Sequence, residues 1–205
     1  MFYVGLDLGQ KQDHSAIAIV EDEWRGEGLT VRHVERVPLG TKYPAVVERV
    51  RRVAQSRELR GECALAVDAT GVGTPVVDML RGAQTGCPIT EVTITSGEKE
   101  TQRAGSGYGQ QAWSVPKRDL MAALQVALER GELKIAKALR EAGVLVEELV
   151  DLRMTVRKSG RIRVGADGYG EHDDLAIALA LAVWLARRPK PRLNSFNGGG
   201  RLPGR

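Results

Sequence analysis

Twelve consecutive apolar residues near the carboxyl end, Leu175 to Ala186, constrain this chain more than any other stretch. A helix built from them has no polar face to turn towards water, so it must be buried. The run is too short to cross a bilayer, which takes about 20 residues. With 205 residues, 42% hydrophobic and 27% charged, the chain is long enough for one soluble domain with a full core.

The rest of the chain supplies partners for that helix. Phe2 to Leu8 alternates, Ser15 to Val20 resumes a strand pattern after a polar turn holding Gly9 and Asp13, and Leu29 to Val37 alternates again. Three strands joined by short turns predict an antiparallel meander. Val46, Val47, Val50 and Val53 have helical spacing, which predicts a helix over 43–57 with Pro44 in its first turn. Cys63 to Val67 predicts a strand ending at Asp68, then Gly71 and Gly73 lead into a helix from Thr74 to about Arg81. Pro88 to Thr95 is a further strand. Ser96 to Ser114 is polar and Gly-rich and is expected to be a mobile loop. Pro116 opens an amphipathic helix ended by Gly131, Leu133 to Ile135 adds a short strand, and 138–149 is helical. Segments 152–157 and 161–164 flank Ser159-Gly160 as a hairpin. A meander followed by strand–helix alternation predicts an α/β fold: a mixed sheet with helices on both faces.

The net charge of +4 is unevenly placed. Residues 187–205 hold six bases and no acid, which leaves 24 bases against 26 acids elsewhere. The basicity thus belongs to a Pro/Gly-rich tail. The expected division is a folded domain over 1–187 and a disordered basic tail over 188–205, with nucleic acid the obvious partner for the tail. Met1 to Leu8 is too short for a signal peptide and runs straight into acidic sequence, so a cytoplasmic location is expected. Cys63 and Cys87 lack metal-site spacing and are expected to be free buried thiols. Trp24, Trp113 and Trp184 are widely separated and predict no stacking series for bases.

Three acidic positions stand apart. Asp7 lies on the strand face shared by Tyr3, Gly5 and Gly9, and Asp68 on the face shared by Ala64 and Ala66. Each is therefore a carboxylate at a strand end on a face cleared of bulk. Either alone reads as a turn residue bonding local amides. Asp173 and Asp174 open the apolar helix, where an N-terminal capping role is the simpler explanation. A buried helix also presents its first turn to the sheet edge, where Asp7 and Asp68 end. Four gathered acids repel one another unless a cation neutralises them. All-oxygen ligation favours Mg2+ or Mn2+. Two such ions activate water and stabilise the leaving oxygen of a phosphodiester. In that scheme Asp7 bridges both ions.

The segments VGLDLGQKQDHSAIAIV, ALAVDATGVGTPVVDML and EHDDLAIALALA resemble the three acidic motifs of phage terminase large-subunit nucleases. SVPKRDLMAALQVALERGELKIA is similar to the helix those nucleases carry between the second and third motifs, and the basic hairpin Arg153 to Val164 to the one before the third. The resemblance covers about residues 2 to 187. It implies a ribonuclease H-like fold and a metal-dependent endonuclease for double-stranded DNA, acting in phage DNA packaging. The implied metal ligands are Asp7, Asp68 and Asp173, which are also the catalytic residues, with Asp174 the neighbouring candidate for two Mg2+ or Mn2+ ions. Lys117, Arg153, Arg157, Lys158, Arg161 and Arg163 are DNA-binding candidates. A terminase ATPase domain, a small terminase subunit or a portal are the implied protein partners, in a phage-infected or prophage-carrying host cell. No GxxxxGK[ST] loop occurs in these residues, so no motor role rests on them.

Competing classes remain in view. A Holliday-junction resolvase-like nuclease shares the chemistry. A phosphotransferase of the actin and sugar-kinase fold also begins with a D-x-G turn, but needs a second phosphate loop and a much longer chain. A non-catalytic DNA-binding module would rely on the tail alone.

Overall fold

The computed structural model describes residues 1–9, 13–23, 28–71, 74–105, 111–151, 153–156, 162–165 and 173–188. The expected meander is β1 (Phe2–Asp7), β2 (Ala16–Asp22) and β3 (Leu29–Arg36). On the other side of β1 the sheet continues in parallel through β4 (Cys63–Asp68), β5 (Ile89–Thr95) and β7 (Gln111–Pro116). β6 (Thr101–Ala104) closes that edge antiparallel to β7, and β8 (Leu133–Ile135) closes the opposite edge parallel to β3. Among the described residues the order is thus β6-β7-β5-β4-β1-β2-β3-β8.

Alternation along the central strands sorts the core into two layers. Val4, Leu6, Ile17, Ile19, Leu65 and Val67 face α1 (Tyr43–Ala54) and α2 (Thr74–Gly82). The other face carries Ala16, Ala18 and Ala66, and it receives α5 (Asp174–Ala186), flanked by α3 (Lys117–Glu129) and α4 (Ala142–Asp151). Every residue of α5 from Asp174 to Leu185 is buried. A helix without a polar face is accommodated because the sheet covers one side and α3 and α4 cover others. The hairpin of β9 (Arg153–Val156) and β10 (Ile162–Gly165) is a separate two-stranded sheet, with β10 beside α3. Among the described residues, no helix is long and apolar enough to cross a membrane.

Several expectations are corrected. The stretch expected to be a loop, Ser96 to Ser114, contains β6 and the start of β7. All four residues of β6 are exposed, so no apolar alternation marked it. α4 begins at Ala142, later than expected, after turns closed by Leu139 and Ala142 amides. Cys63 and Cys87 form a disulfide, their Cα atoms 5.2 Å apart. Cys63 opens β4 and Cys87 precedes β5, and the pairing of Leu65 with Ile89 brings the two strand starts side by side. Outside these corrections, Trp113 and Trp184 meet edge to face with centroids 6.2 Å apart, which is no stacking series for bases, and Trp24 lies outside the described residues. The Arg188 guanidinium lies 3.6 Å from one ring centroid and 4.0 Å from the other. It also pairs with Glu100, which accepts the Trp184 indole N–H at 3.0 Å. Arg187 pairs with Glu132. Two of the six bases counted after 186 are therefore joined to the folded body.

Candidate active site

Asp7 and Asp68 end adjacent parallel strands, and the pairing of Leu6 with Val67 sets the two carboxylates side by side. Both are buried, on the sheet face that α5 covers. Gly5 explains how α5 comes so close. A Cβ at Gly5 would stand 1.8 Å from the Ala178 carbonyl oxygen and 2.8 Å from the Ala182 nitrogen. The space cleared by this glycine is therefore filled by helix backbone, and does not open the site as its sequence position suggested. From Ala178 back to Asp174 is about 6 Å of helix, and from Gly5 on to Asp7 about 6.6 Å of strand. The close approach at Gly5 thus brings the first turn of α5 over the end of β1. Gly9 is equally hemmed in, since a Cβ there would lie 2.3 Å from the Asp13 carbonyl oxygen.

The electrostatics follow from this crowding. Burial pushes the Asp7 carboxyl well above its ordinary range, and Asp68, Asp174 and Asp173 push it further, while Lys117 opposes them. Burial also raises Asp68, against hydrogen bonds from Thr70 and the charge of Lys117. Lys117 opens α3 directly after β7, and its Nζ lies 2.6 Å from Asp173 Oδ2. Arg36 ends β3 in line with Asp7, through Ala16 between them. Its Nε lies 3.6 Å from Asp174 Oδ2, and its other arm pairs with Glu148 of α4.

The capping alternative for these acids divides. Asp68 does act as a turn residue: its Oδ1 accepts the Thr70 amide at 2.8 Å. Asp173 stands at the N-cap of α5 yet makes no side-chain capping bond among the described residues. Glu148 does that work from α4, accepting the Ala176 amide at 2.8 Å. Among the described residues no group of three His, Cys, Asp or Glu side chains is close enough together to hold a metal ion. Asp173 pairs with Lys117, Asp174 lies beside Arg36, and Asp68 Oδ1 accepts the Thr70 amide.

Beside the first motif lies a cleft of about 440 Å³ lined by Gly9, Asp13, Ser15, Lys42 and Tyr43. His14 Nδ1 lies 3.0 Å from the carbonyl oxygen of Val37, a residue of the cleft lining. Arg153 and Arg163 lie on the paired strands of the hairpin, where Arg163 sits opposite Thr155. Arg157, Lys158, Arg161 and His172 fall outside the described residues. Arg36 and Glu148 were not singled out from sequence. The available signals were faint: a charge ending an alternating strand, and an acid inside an apolar helical run.

A β3-β2-β1-β4-β5 core with helices on both faces and acids at the ends of β1 and β4 defines a ribonuclease H-like domain. The chain belongs to the terminase RNaseH-like domain family, whose model matches residues 4–185. Among solved structures, the large terminase nuclease of thermophilic phage G20c with bound magnesium aligns with a TM-score of 0.65 at 23% identity, over 90% of this chain and 80% of that one. The large terminase nuclease domain of Thermus phage P74-26 gives 0.59 at 20% identity, over 89% and 77%. The large terminase of bacteriophage HK97 gives 0.58 at 15% identity, with 89% of this chain spanning 38% of that one. No curated protein matches the chain.

Proposed function

We propose that this domain is an endonuclease that hydrolyses double-stranded DNA during phage packaging, with divalent ions held by Asp7, Asp68 and the Asp173–Asp174 pair. The observation that supports this most is the Asp7 carboxyl, buried at a strand end with three further carboxylates acting on it. A structural acid is normally placed beside cations or amide donors, whereas this one is placed among like charges. The donor set is all hard oxygen, which fits Mg2+ or Mn2+. Fold relatives have been crystallised with magnesium, cobalt and manganese.

Bound there, such ions supply an activated water and a counter-charge for the leaving oxygen of a phosphodiester. Asp7, between Asp68 and the start of α5, would be the ligand common to both ions in this reading. Asp68 would bind through its carboxylate while Thr70 holds Oδ1 in place. Lys117, already at the acid cluster, releases Asp173 and contacts the DNA phosphate. The hairpin bases Arg153, Arg157, Lys158, Arg161 and Arg163, with the basic segment after Arg188, follow the duplex backbone. A terminase ATPase domain, a small subunit or a portal is the partner that delivers the DNA.

Purified protein with Mn2+ or Mg2+ is expected to nick and then linearise supercoiled plasmid, and EDTA to stop it. Asp7→Asn and Asp68→Asn are expected to lower cutting by more than the roughly 10–100-fold typical of outer-shell changes, with an unchanged circular dichroism spectrum. Full cutting by Asp7→Asn protein freed of contaminating nucleases would remove this reading.

A further inference from the structure

Two charged residues beside Asp174, buried Glu148 and half-buried Arg36, have no part in the scheme above. Glu148 projects from α4 and is 7% exposed. One of its oxygens accepts the Ala176 amide in the first turn of α5, and the other accepts from the Arg36 guanidinium. The same guanidinium reaches Asp174, with Nε 3.6 Å from Oδ2, beyond hydrogen-bond length. Glu141 of the turn before α4 holds the Arg36 backbone amide at 3.1 Å. One arginine is therefore shared between a partner it bonds and a site acid it only approaches.

We propose that Glu148 is a positioning residue of the nuclease site: it caps α5 in place of Asp173 and restrains Arg36 from closing on Asp174. The inference rests on the metal-dependent reading above. Its physical basis is competition. A first-turn amide of α5 must be satisfied, and an aspartate that capped it would be tied to backbone. Glu148 satisfies it from outside, so neither third-motif carboxylate is tied to that amide. Arg36 is a fixed cation beside one of them, and any ion entering the site competes with it for Asp174. Bonding to Glu148 keeps that competition weak.

This arrangement predicts effects of opposite sign from two partners in one ion pair. Glu148→Gln keeps an oxygen for the Ala176 amide but releases Arg36 onto Asp174. Mn2+ affinity, measured by calorimetry in mildly alkaline buffer, is expected to weaken about tenfold, in the range for outer-shell partners. Arg36→Gln leaves Glu148 capping α5 and removes the competing cation, so Mn2+ should bind several-fold more tightly. The double variant should recover most of the affinity lost in Glu148→Gln. A merely structural ion pair behaves otherwise: both single variants lower the melting temperature and leave Mn2+ affinity in the folded protein alone. That result, or weakening by both, overturns the inference. Should Glu148→Gln fail to fold, Arg36→Gln decides alone, since an unchanged or weaker affinity overturns it. Wild-type protein that binds no Mn2+ and cuts no DNA sinks the nuclease reading along with this one. Wild-type binding and cutting with unresponsive variants sinks only this one.

Discussion

At its start, α5 brings Asp173 and Asp174 towards Asp7 and Asp68, so that like charges gather where water is scarce. At its end, Arg187 pairs with Glu132, and Arg188 pairs with Glu100 while stacked against two tryptophan rings. Acids at the first turn and bases after the last both suit the helix dipole, so the dipole does not distinguish the two ends. Their surroundings do. At the carboxyl end each base meets an acid supplied by a distant element, and the contacts add stability. At the amino end Lys117 and Arg36 only partly offset the acids, and the residual repulsion is what a divalent ion would relieve. The same helix is fastened at one end and left poised at the other.

Breaking the fastened end should produce the larger change in stability. Arg188→Ala removes a guanidinium held against two rings and an ion-pair partner of Glu100. A cost of about 1–2 kcal/mol is expected from the cation–π contacts, read as a lower melting temperature without metal. A melting temperature equal to wild type would show that this end is no anchor.

At the poised end the sign should reverse. Asp7→Asn relieves repulsion from Asp68, Asp174 and Asp173, so the protein in EDTA should melt slightly higher, although most substitutions at buried sites lower stability. The increase is expected to be below about 1 kcal/mol, because Lys117 already offsets part of the repulsion. Mn2+ should raise the wild-type melting temperature through binding to the folded state alone, and most of that rise should vanish in the variant. A lower melting point in EDTA with the full metal shift retained would make Asp7 a structural turn residue.

The last test concerns pH, where several groups act together. Burial raises Glu148 from its ordinary 4.5 to about 7, with Asp174 and Asp173 adding and the Ala176 amide and Arg36 opposing. Asp7 and Asp68 are raised too. A group that holds its proton more tightly when folded stabilises the fold fully below its unfolded pKa, and loses that contribution as pH rises through the folded value. The metal-free protein should therefore lose melting temperature between about pH 4.5 and 7, the window set by Glu148. Mn2+ should blunt the decline by binding the deprotonated site. Melting curves across that range with EDTA and with Mn2+ test this, and a metal-free protein that gains stability over the window contradicts it.

Much of the architecture could be read from local pattern. Alternation marked β1 and β3, and short apolar runs marked β2 and β4, because these strands bury one face or both; the apolar run Leu175 to Ala186 announced a helix enclosed on all sides. Asp7 and Asp68 stood out because each ends such a strand. β6 escaped notice because it buries neither face, and an exposed edge strand leaves no alternation to detect. The Cys63–Cys87 bond escaped because the two residues are 24 positions apart and meet only through parallel pairing. Arg188 looked like the start of a basic tail because nothing near it in sequence hinted at Trp113 or Glu100.

What the sequence determined by itself was therefore which residues are buried along each element, and that acids stand at the ends of two strands and one helix. The spacing of apolar side chains is a local quantity, and local quantities survive in one dimension. The tertiary structure decided what those acids meet. Gly5 lets α5 settle onto β1, α3 brings Lys117 to Asp173, β3 brings Arg36 to Asp174, and α4 sends Glu148 to cap the helix that Asp173 leaves uncapped. A carboxylate's chemistry is set by charges and donors within a few ångströms. Here those come from four elements scattered along the chain, so only the folded arrangement could assign them.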